Sequence, residues 1–415
     1  MSSTQPWRRV AAATGLLGAD GAVRPTIFAE MSALATRTGA LNLGQGFPDT
    51  DGPEQVARAA ARAILDGHNQ YPPGAGIPAL LSAVAAHQSR HYGLHPDPAG
   101  EVLVTTGATE AIAAAVLALV GPGDEVLTLE PFYDSYAAVI ALAGATHTTV
   151  PLVPGPDGFR LDTAALAAAV TPRTRLVLLN TPHNPTGTVL TTHELAAVAD
   201  LARRHDLIVL TDEVYEHLTY GPAHVPIATR PGMAERTLTV SSAGKSLSFT
   251  GWKIGWVTGP AHLVTAVRTV KQFLTYVSGA PFQPAVAAAL ADPQVDTWVR
   301  GLADSLRVRR DLLCDGLRRA GFDVVVPDGT YFVLADAAPL GFDDGAALGR
   351  RLPELAGVVG VPVRAFTRAG SSADTALASW LRFTFVKRTQ VLTQAVDQLV
   401  AWSRRPATTR EGQSR

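Results

Sequence analysis

Residues 241–256 read "SSAGKSLSFTGWKIGW", and the two lysines eight positions apart in this run of small, hydroxylated and aromatic residues decide how the whole chain is read. Lysine is scarce here: Lys245, Lys253, Lys271 and Lys387 are the only ones, and the other 31 of the 35 basic side chains are arginine. Half the lysines therefore fall in one short segment. Its two ends overlap β-rich runs, "TLTVSS" (237–242) and "IGWVTG" (254–259), so both lysines belong to the connection between two predicted strands.

Working outward, short β-rich runs alternate with helical patterns from about residue 100, which predicts a parallel sheet with helices on its faces. "EVLVTT" (101–106) runs into a helix start at "GATEAIAAAVLALV", "EVLTLE" (125–130) leads into "PFYDSY", and "RLVLLN" (175–180) precedes the loop "TPHNPTG". Thr191 and Glu194 are spaced as a capping box opening "ELAAVADLARRH", with Leu195, Val198, Leu201 and His205 on one face. "LIVLTDEVY" (207–215) is a further buried strand with polar residues at its end. Polar residues repeatedly fall just after strands, where open α/β sheets place their ligands. Past about residue 290 the pattern becomes a long helix, then "DVVV", "TYFVLA" and "LRFTFV" as short strands, then a terminal helix from about Gln390 to Trp402. The predicted fold class is thus α/β, with a large, mostly parallel sheet flanked by helices and a smaller α+β domain. The expected division is an N-terminal arm with part of the small domain over 1–50, a large domain over 51–290, a small domain over 291–405 and a mobile tail over 406–415.

A chain of 415 residues, 47% apolar and 17% charged, has the material for a large core in two or so domains. A net charge of −1 argues against a nucleic-acid footprint, which needs a concentrated basic stripe. The Arg307–Arg310 run lies in an amphipathic helical pattern and reads as a solvated face. The single cysteine, Cys314, excludes an intrachain disulfide, supplies no metal-ligand cluster and fits a reducing cytosol, with a packing role in the same helix. No metal is expected. "WRRVAAATGLLGADGAV" (7–23) imitates a signal peptide, but Gly15, Gly18 and Asp20 interrupt it, which favours a leader arm or a disordered start. No apolar stretch reaches the ~18 residues of a spanning helix, so no membrane is expected and the location is read as cytoplasmic.

Taken singly, the polar residues at the strand ends are ordinary. Asp212 would cap a turn, Tyr215 would pack in the core, and Asn184 before Pro185 would make an Asx-turn. Together with Lys245 they match the needs of pyridoxal phosphate. That cofactor requires a lysine that forms an imine with its aldehyde and later shuttles a proton, and a carboxylate such as Asp212 facing its ring nitrogen to make the ring an electron sink. Tyr215 and Asn184 supply donors to the ring oxygen, and Tyr133 of "PFYDSY" supplies an aromatic face. Gly107, Ala108 and Thr109, at a strand-to-helix junction, offer free N–H groups to a phosphate dianion, joined by Ser242 and Lys253. One lysine bonds the cofactor and the other neutralises its phosphate.

Over nearly its whole length the chain resembles the fold-type I pyridoxal phosphate-dependent aminotransferases of class I/II. The resemblance rests on "NLGQGFPDTDGP", "NQYPPGAGIPAL", "TTGATEAI", "EPFYDSY", "NTPHNPTG", "TDEVYEHL", "SSAGKSLSFTGWKIGW" and "LRFTFVKR", in the expected order. Within the family it is similar to the kynurenine, glutamine and methionine aminotransferases and to the actinobacterial N-succinyldiaminopimelate aminotransferases. The resemblance implies Lys245 as the imine-forming lysine, Asp212 as the pyridinium partner, Tyr215 and Asn184 on the ring oxygen, and Ala108, Thr109, Ser242 and Lys253 on the phosphate. It further implies that Tyr71 of "NQYPP" reaches the phosphate of a neighbouring subunit in a homodimer. Arg382 would grip the substrate α-carboxylate through a planar two-point contact, with the Gly46 backbone close by. Many relatives carry Arg at the position of Lys253, although this subgroup also uses Lys. They tend to have a small Ser where "VPVRAF" places Arg364, which leaves two readings: a contact to a second anionic group on the substrate, or a surface arginine. "TRAGSSADTALAS" (367–379), just after it, has the polarity of a lid.

The implied reaction is ping-pong transamination between an L-amino acid and a 2-oxo acid. A second reading keeps the cofactor but ends in β/γ-elimination or substitution on a substrate with a leaving group. A third, a regulator that senses the cofactor through a leading helix-turn-helix module, is disfavoured because the family motifs begin by residue 42.

Overall fold

The computed structural model describes residues 5–406. Apart from Pro406, the expected mobile tail lies outside these residues. The large sheet is built from β1 (Val102–Thr106), β2 (Glu125–Glu130), β3 (Thr146–Gly155), β4 (Gly158–Leu161), β5 (Thr174–Asn180), β6 (Ile208–Asp212), β7 (Thr237–Ser242) and β8 (Ile254–Thr258). Its order is β1-β8-β7-β6-β5-β2-β3-β4. The run from β7 to β3 is parallel, β8 lies antiparallel between β7 and β1, and β3 and β4 pair antiparallel. Helices cover both faces, which is why "RLVLLN" carries no alternation: Leu176, Val177, Leu178 and Leu179 are all buried, on opposite faces.

Parallel pairing brings the strand ends to one edge. Glu130, Asn180, Asp212 and Ser242 close β2, β5, β6 and β7 there, β1 ends there at Thr106, and β8 starts there at Ile254. Asn180 and Asp212 are register partners. The helix Gly107–Leu119 starts directly from β1 at the same edge. This is the architecture of fold type I.

A second sheet, of β9 (Asp323–Val325), β10 (Phe332–Asp336), β11 (Val361–Pro362) and β12 (Trp380–Thr384), is antiparallel in the order β9-β10-β12-β11. It packs against the helices Pro293–Arg319 and Thr389–Ser403 through Leu313, Leu317, Phe383, Leu399 and Trp402. Leu41–Asn42 pairs parallel with Val358–Val359, which joins the chain's early residues to this carboxy-terminal unit. The predicted capping box is present: Thr191 Oγ1 accepts from the Glu194 N–H at 3.2 Å, and Glu194 Oε2 accepts from the Thr191 N–H at 2.7 Å.

Two expectations change. The Arg307–Arg310 run is not uniformly a solvated face, because Arg309 is buried and its Nη1 donates to the Val386 and Lys387 carbonyls, each at 3.1 Å. Arg310 lies over the Tyr220 ring, 5.2 Å from its centroid. Only partners distant in sequence distinguish such a buried guanidinium from an exposed one. At the other end, of the two readings, a leader arm or a disordered start, the second does not hold for Pro6–Ala13, which forms a helix with Ala11 buried. Cys314 is buried as expected, and burial pushes its thiol up to about 12, which removes it as a nucleophile. Among the described residues, no helix is long and apolar enough to cross a membrane.

Candidate active site

The strand ends enclose a cavity of about 370 Å³. Gly46, Gly107, Ala108, Thr109, Tyr133, Asn184, Asp212, Tyr215, Ser242, Lys245, Lys253 and Arg382 all line it. Tyr71 and Arg364 do not. Tyr71 lies on the outer surface at 81% exposure, edge-on to Tyr276 with ring centroids 5.5 Å apart. Arg364 forms a two-point fork with Asp374: Nε to Oδ1 and Nη2 to Oδ2, each 3.0 Å. The Asp374 carboxylate also accepts from the Thr367 hydroxyl and the Gly370 N–H, so the fork fastens the 367–374 loop. Glu130, at the end of β2, holds the same loop by accepting from the Arg368 N–H and the Ser371 hydroxyl. Arg364 holds its charge more firmly than a free guanidinium because of the Asp374 hydrogen bond, and the same pair pulls the Asp374 carboxyl down to about 2.

Asp212 sits on the cavity floor. Burial pushes its carboxyl up to about 6, while the Tyr136 hydroxyl, the Val214 N–H and the nearby Lys245 charge pull it down, so it is ionised at neutral pH. The Tyr136 hydroxyl donates to Asp212 Oδ2 at 2.7 Å. Lys245, in the short helix Ala243–Ser246 that continues β7, donates from Nζ to the Tyr331 hydroxyl at 3.2 Å, and that hydroxyl donates to the Gly46 carbonyl at 2.7 Å. The Tyr215 ring stands perpendicular to Tyr331, and burial together with Tyr331 holds its phenol well above the usual range. Burial, then Asp134 and Asp212, push Tyr133 up to about 12.

At the far end, Gly107 has φ +70°, which a side chain rarely adopts, and an added Cβ would lie 3.2 Å from Lys253 Nζ. Lys253 Nζ lies 3.3 Å from Thr109 Oγ1. Burial and the Lys245 charge lower the Lys253 pKa, a strain that an anion placed between Lys253 and the helix start would relieve. At the opposite wall Arg382, from the middle of the small sheet, is buried with its Cζ 4.0 Å from the Phe332 ring centroid and 4.5 Å from that of Phe366. Its Nη1 donates to Asn184 Oδ1 at 3.0 Å and its Nη2 to the Gly44 carbonyl at 2.9 Å, while the buried Nε has no partner among the described residues. Burial lowers its pKa to about 10, so it stays charged. Gly46 leaves no room for a side chain, since a Cβ would meet Phe332 Cζ at 2.4 Å.

The sequence reading missed three contributors. Tyr136 ends the "PFYDSY" stretch three residues after Tyr133, a helical spacing that would have marked it. Asn180 lines the cavity and accepts from the Asn184 N–H at 2.6 Å, and its place as the last residue of a buried strand was the available signal. Tyr331, 86 residues from Lys245, gave none.

A lysine with a buried carboxylate at the edge of this sheet, an electropositive cradle at one end and an arginine at the other define a pyridoxal phosphate-dependent aminotransferase. The chain belongs to the family Aminotransferase class I and II, whose model matches residues 38–399. It is 57% identical over 388 residues to a probable N-succinyldiaminopimelate aminotransferase of Mycobacterium tuberculosis, covering 92% of this chain and 97% of that protein. It is 39% identical to the methionine aminotransferase of Escherichia coli, covering 90% of this chain and 95% of that one. The solved structure of the N-succinyldiaminopimelate aminotransferase from Mycobacterium tuberculosis superposes with a TM-score of 0.88 at 56% identity, over 91% of this chain and 97% of that chain. The residues present fit the cofactor: a reactive amine, an ionised carboxylate and a cradle closed to any side chain at Gly107 all face one space.

Proposed function

We propose that the enzyme moves an amino group from an amino acid resembling N-succinyldiaminopimelate to a 2-oxo acid by a ping-pong mechanism, with the site roles divided as follows. The cofactor supplies an aldehyde that binds amino groups and a ring that accepts electrons when a bond at the substrate Cα breaks. Lys245 Nζ would hold the cofactor at rest and, once the substrate amino group has displaced it, the freed amine would take up the α-proton on Nζ and return it. Asp212, ionised and oriented by the Tyr136 hydroxyl, would hold the ring nitrogen in its protonated form. Tyr215 and Asn184 donate to the ring oxygen, and Tyr133 covers the ring face. Gly107, Ala108, Thr109, Ser242 and Lys253 hold the phosphate. Arg382 orients the substrate carboxylate with its unengaged Nε–H, next to the Gly46 backbone.

The observation that carries this reading is the placement of Lys245, Asp212 and Arg382 around one cavity. The test is a Lys245→Ala variant, which is expected to lose turnover and the visible band of the bound cofactor. Turnover at the parent rate would overturn the assignment.

The substrate class is supported by the 57% identity over 92% of the chain. Donors that bleach the cofactor band are expected to include N-succinyldiaminopimelate, and a preference for methionine or kynurenine would replace this reading. Arg364 acts through the loop it fastens and not by touching substrate. Arg364→Ser should then weaken all donors alike, alanine included, whereas a loss confined to donors with a second anionic group would establish direct contact.

A cytoplasmic homodimer completes the proposal, with Tyr71 reaching the partner's phosphate cradle and the domain division 1–50, 51–290 and 291–405 kept. Exposed Phe47, Tyr71, Phe273, Leu274 and Tyr276 favour a covered surface. Sedimentation at one chain mass would remove the shared site.

A further inference from the structure

Behind the Lys245 segment lies a second cavity, of about 390 Å³, lined in part by His87, His91, Glu216, His217 and Asp296. Ser242 lines both cavities, but none of these five residues has a role in the active site described above. Three elements meet there. The helix Pro78–Tyr92 carries His87 and His91 four residues apart, hence on one face. The turn after β6 carries Glu216 and His217, and the first turn of the helix Pro293–Arg319 carries Asp296.

One ring nitrogen of each histidine lies within 4.8 Å of those of the other two. His87 Nε2 is 2.8 Å from His217 Nε2, and His91 Nε2 is 3.9 Å from Asp296 Oδ1. The three rings pack with centroids 4.5 to 5.0 Å apart. His91 and Asp296 are partly open to solvent, with side-chain exposures of 26% and 22%, so an ion has an entry path. Arg90, paired with Asp296 at 3.3 Å, is the cation beside the group. The buried Glu216 lies behind it, with its carboxylate accepting from the Ser241 and Tyr92 hydroxyls.

We propose that His87, His91, His217 and Asp296 bind one first-row divalent cation of the class imidazole selects, zinc, cobalt or nickel. Three nitrogens and one carboxylate oxygen make a four-ligand set suited to tetrahedral geometry. With metal–nitrogen distances of ~2.0–2.1 Å, ligand nitrogens stand roughly 3.3 Å apart, so binding spreads the His87–His217 contact by about half an ångström and draws His91 inward. Imidazole ligates in its neutral form. The Asp296 and Glu216 carboxylates then give the group the negative charge that a cation meets. A local signal was present in the sequence: "HQSRH" places two histidines one helical turn apart, as in zinc-binding helices. The ion would tie the long helix Pro293–Arg319, which runs to the small sheet, to the large-domain helix Pro78–Tyr92.

The test uses untagged holoenzyme, stripped with chelator and exchanged into chelator-free buffer. It is titrated with zinc chloride by calorimetry, and with cobalt chloride while visible ligand-field bands are followed. The expected result is one ion per chain, tetrahedral cobalt bands, and a melting temperature raised by roughly 3 °C at 100-fold excess over Kd. His91→Ala, at a partly exposed position, should lose at least about tenfold in affinity along with the melting shift, while transamination stays at the parent level. Asp296→Asn should show a smaller loss and serves if His91→Ala does not fold. Equal zinc binding by parent and variants, no binding at millimolar zinc, or octahedral cobalt bands would each overturn the site. So would zinc binding that shifts only the cofactor band.

Discussion

Replacing Tyr136 by Phe removes one hydroxyl from a buried site and leaves the ring that fills the core. In the parent that hydroxyl donates to Asp212 Oδ2 at 2.7 Å, and both residues are almost wholly inaccessible. A hydrogen bond to a charged group is worth roughly 1.5–3 kcal/mol, and each pKa unit corresponds to about 1.36 kcal/mol. Loss of the donor should therefore raise the Asp212 carboxyl from about 6 to roughly 7–8. At pH 6.5 a group of pKa 6 is mostly ionised, and one of pKa 7–8 is ionised in only roughly 3–24% of molecules. If ionised Asp212 is what the cofactor ring requires, Tyr136→Phe should bind pyridoxal phosphate roughly 3- to 25-fold more weakly than the parent at pH 6.5 and nearly as well at pH 8.5. The assay is the association constant of pyridoxal phosphate with the apoprotein across that range, taken as a parent-to-variant ratio so that the ligand's own titrations cancel. A ratio that stays flat with pH would refute the reasoning, whether the variant binds well or badly throughout.

Arg382→Lys keeps the charge but loses the planar fork and the Nε–H, so kcat/KM should fall for every amino donor by roughly 30- to 1000-fold, or about 2–4 kcal/mol. A fall restricted to some donors would show that Arg382 reads the side chain and not the shared carboxylate. Acid should destabilise the fold through His147 and His183, whose pKa values burial lowers to about 3, with the Arg368 charge adding to the effect on His147. Each is neutral in the fold and protonated in the unfolded chain below about 6.5, so their contribution is complete above that value and is lost as pH falls toward 3. At pH 5 each costs about 2 kcal/mol relative to pH 7.5. Urea unfolding at the two pH values reads the difference, and His147→Gln should shrink it by about that amount; an unchanged difference counts against the assignment.

Much of this was written locally. Two strand ends announced themselves because a strand buried on both faces is apolar until it reaches the edge, so "LTD" and "VSS" mark where Asp212 and Ser242 face the site; "LLN" carried the same mark for Asn180, which went unread. The Thr191–Glu194 cap was visible because both partners lie within one turn. What escaped depended on partners far along the chain. Arg309 looks like the exposed Arg307 until the Val386 and Lys387 carbonyls are brought to it. Arg364 reads as a free charge until the chain turns Asp374 back onto it, ten residues later. His217 meets His87 across 130 positions, a distance over which no periodicity speaks.

Arg382 stands in an inner strand of one sheet, while Lys245 and Asp212 extend from strands of the other, so on the roles proposed above the space between them would act as a caliper. Every α-amino acid sets its nitrogen and carboxyl carbon on the same central atom, whatever its side chain. A gauge closed on that span would read what the class shares and leave side-chain choice to other walls.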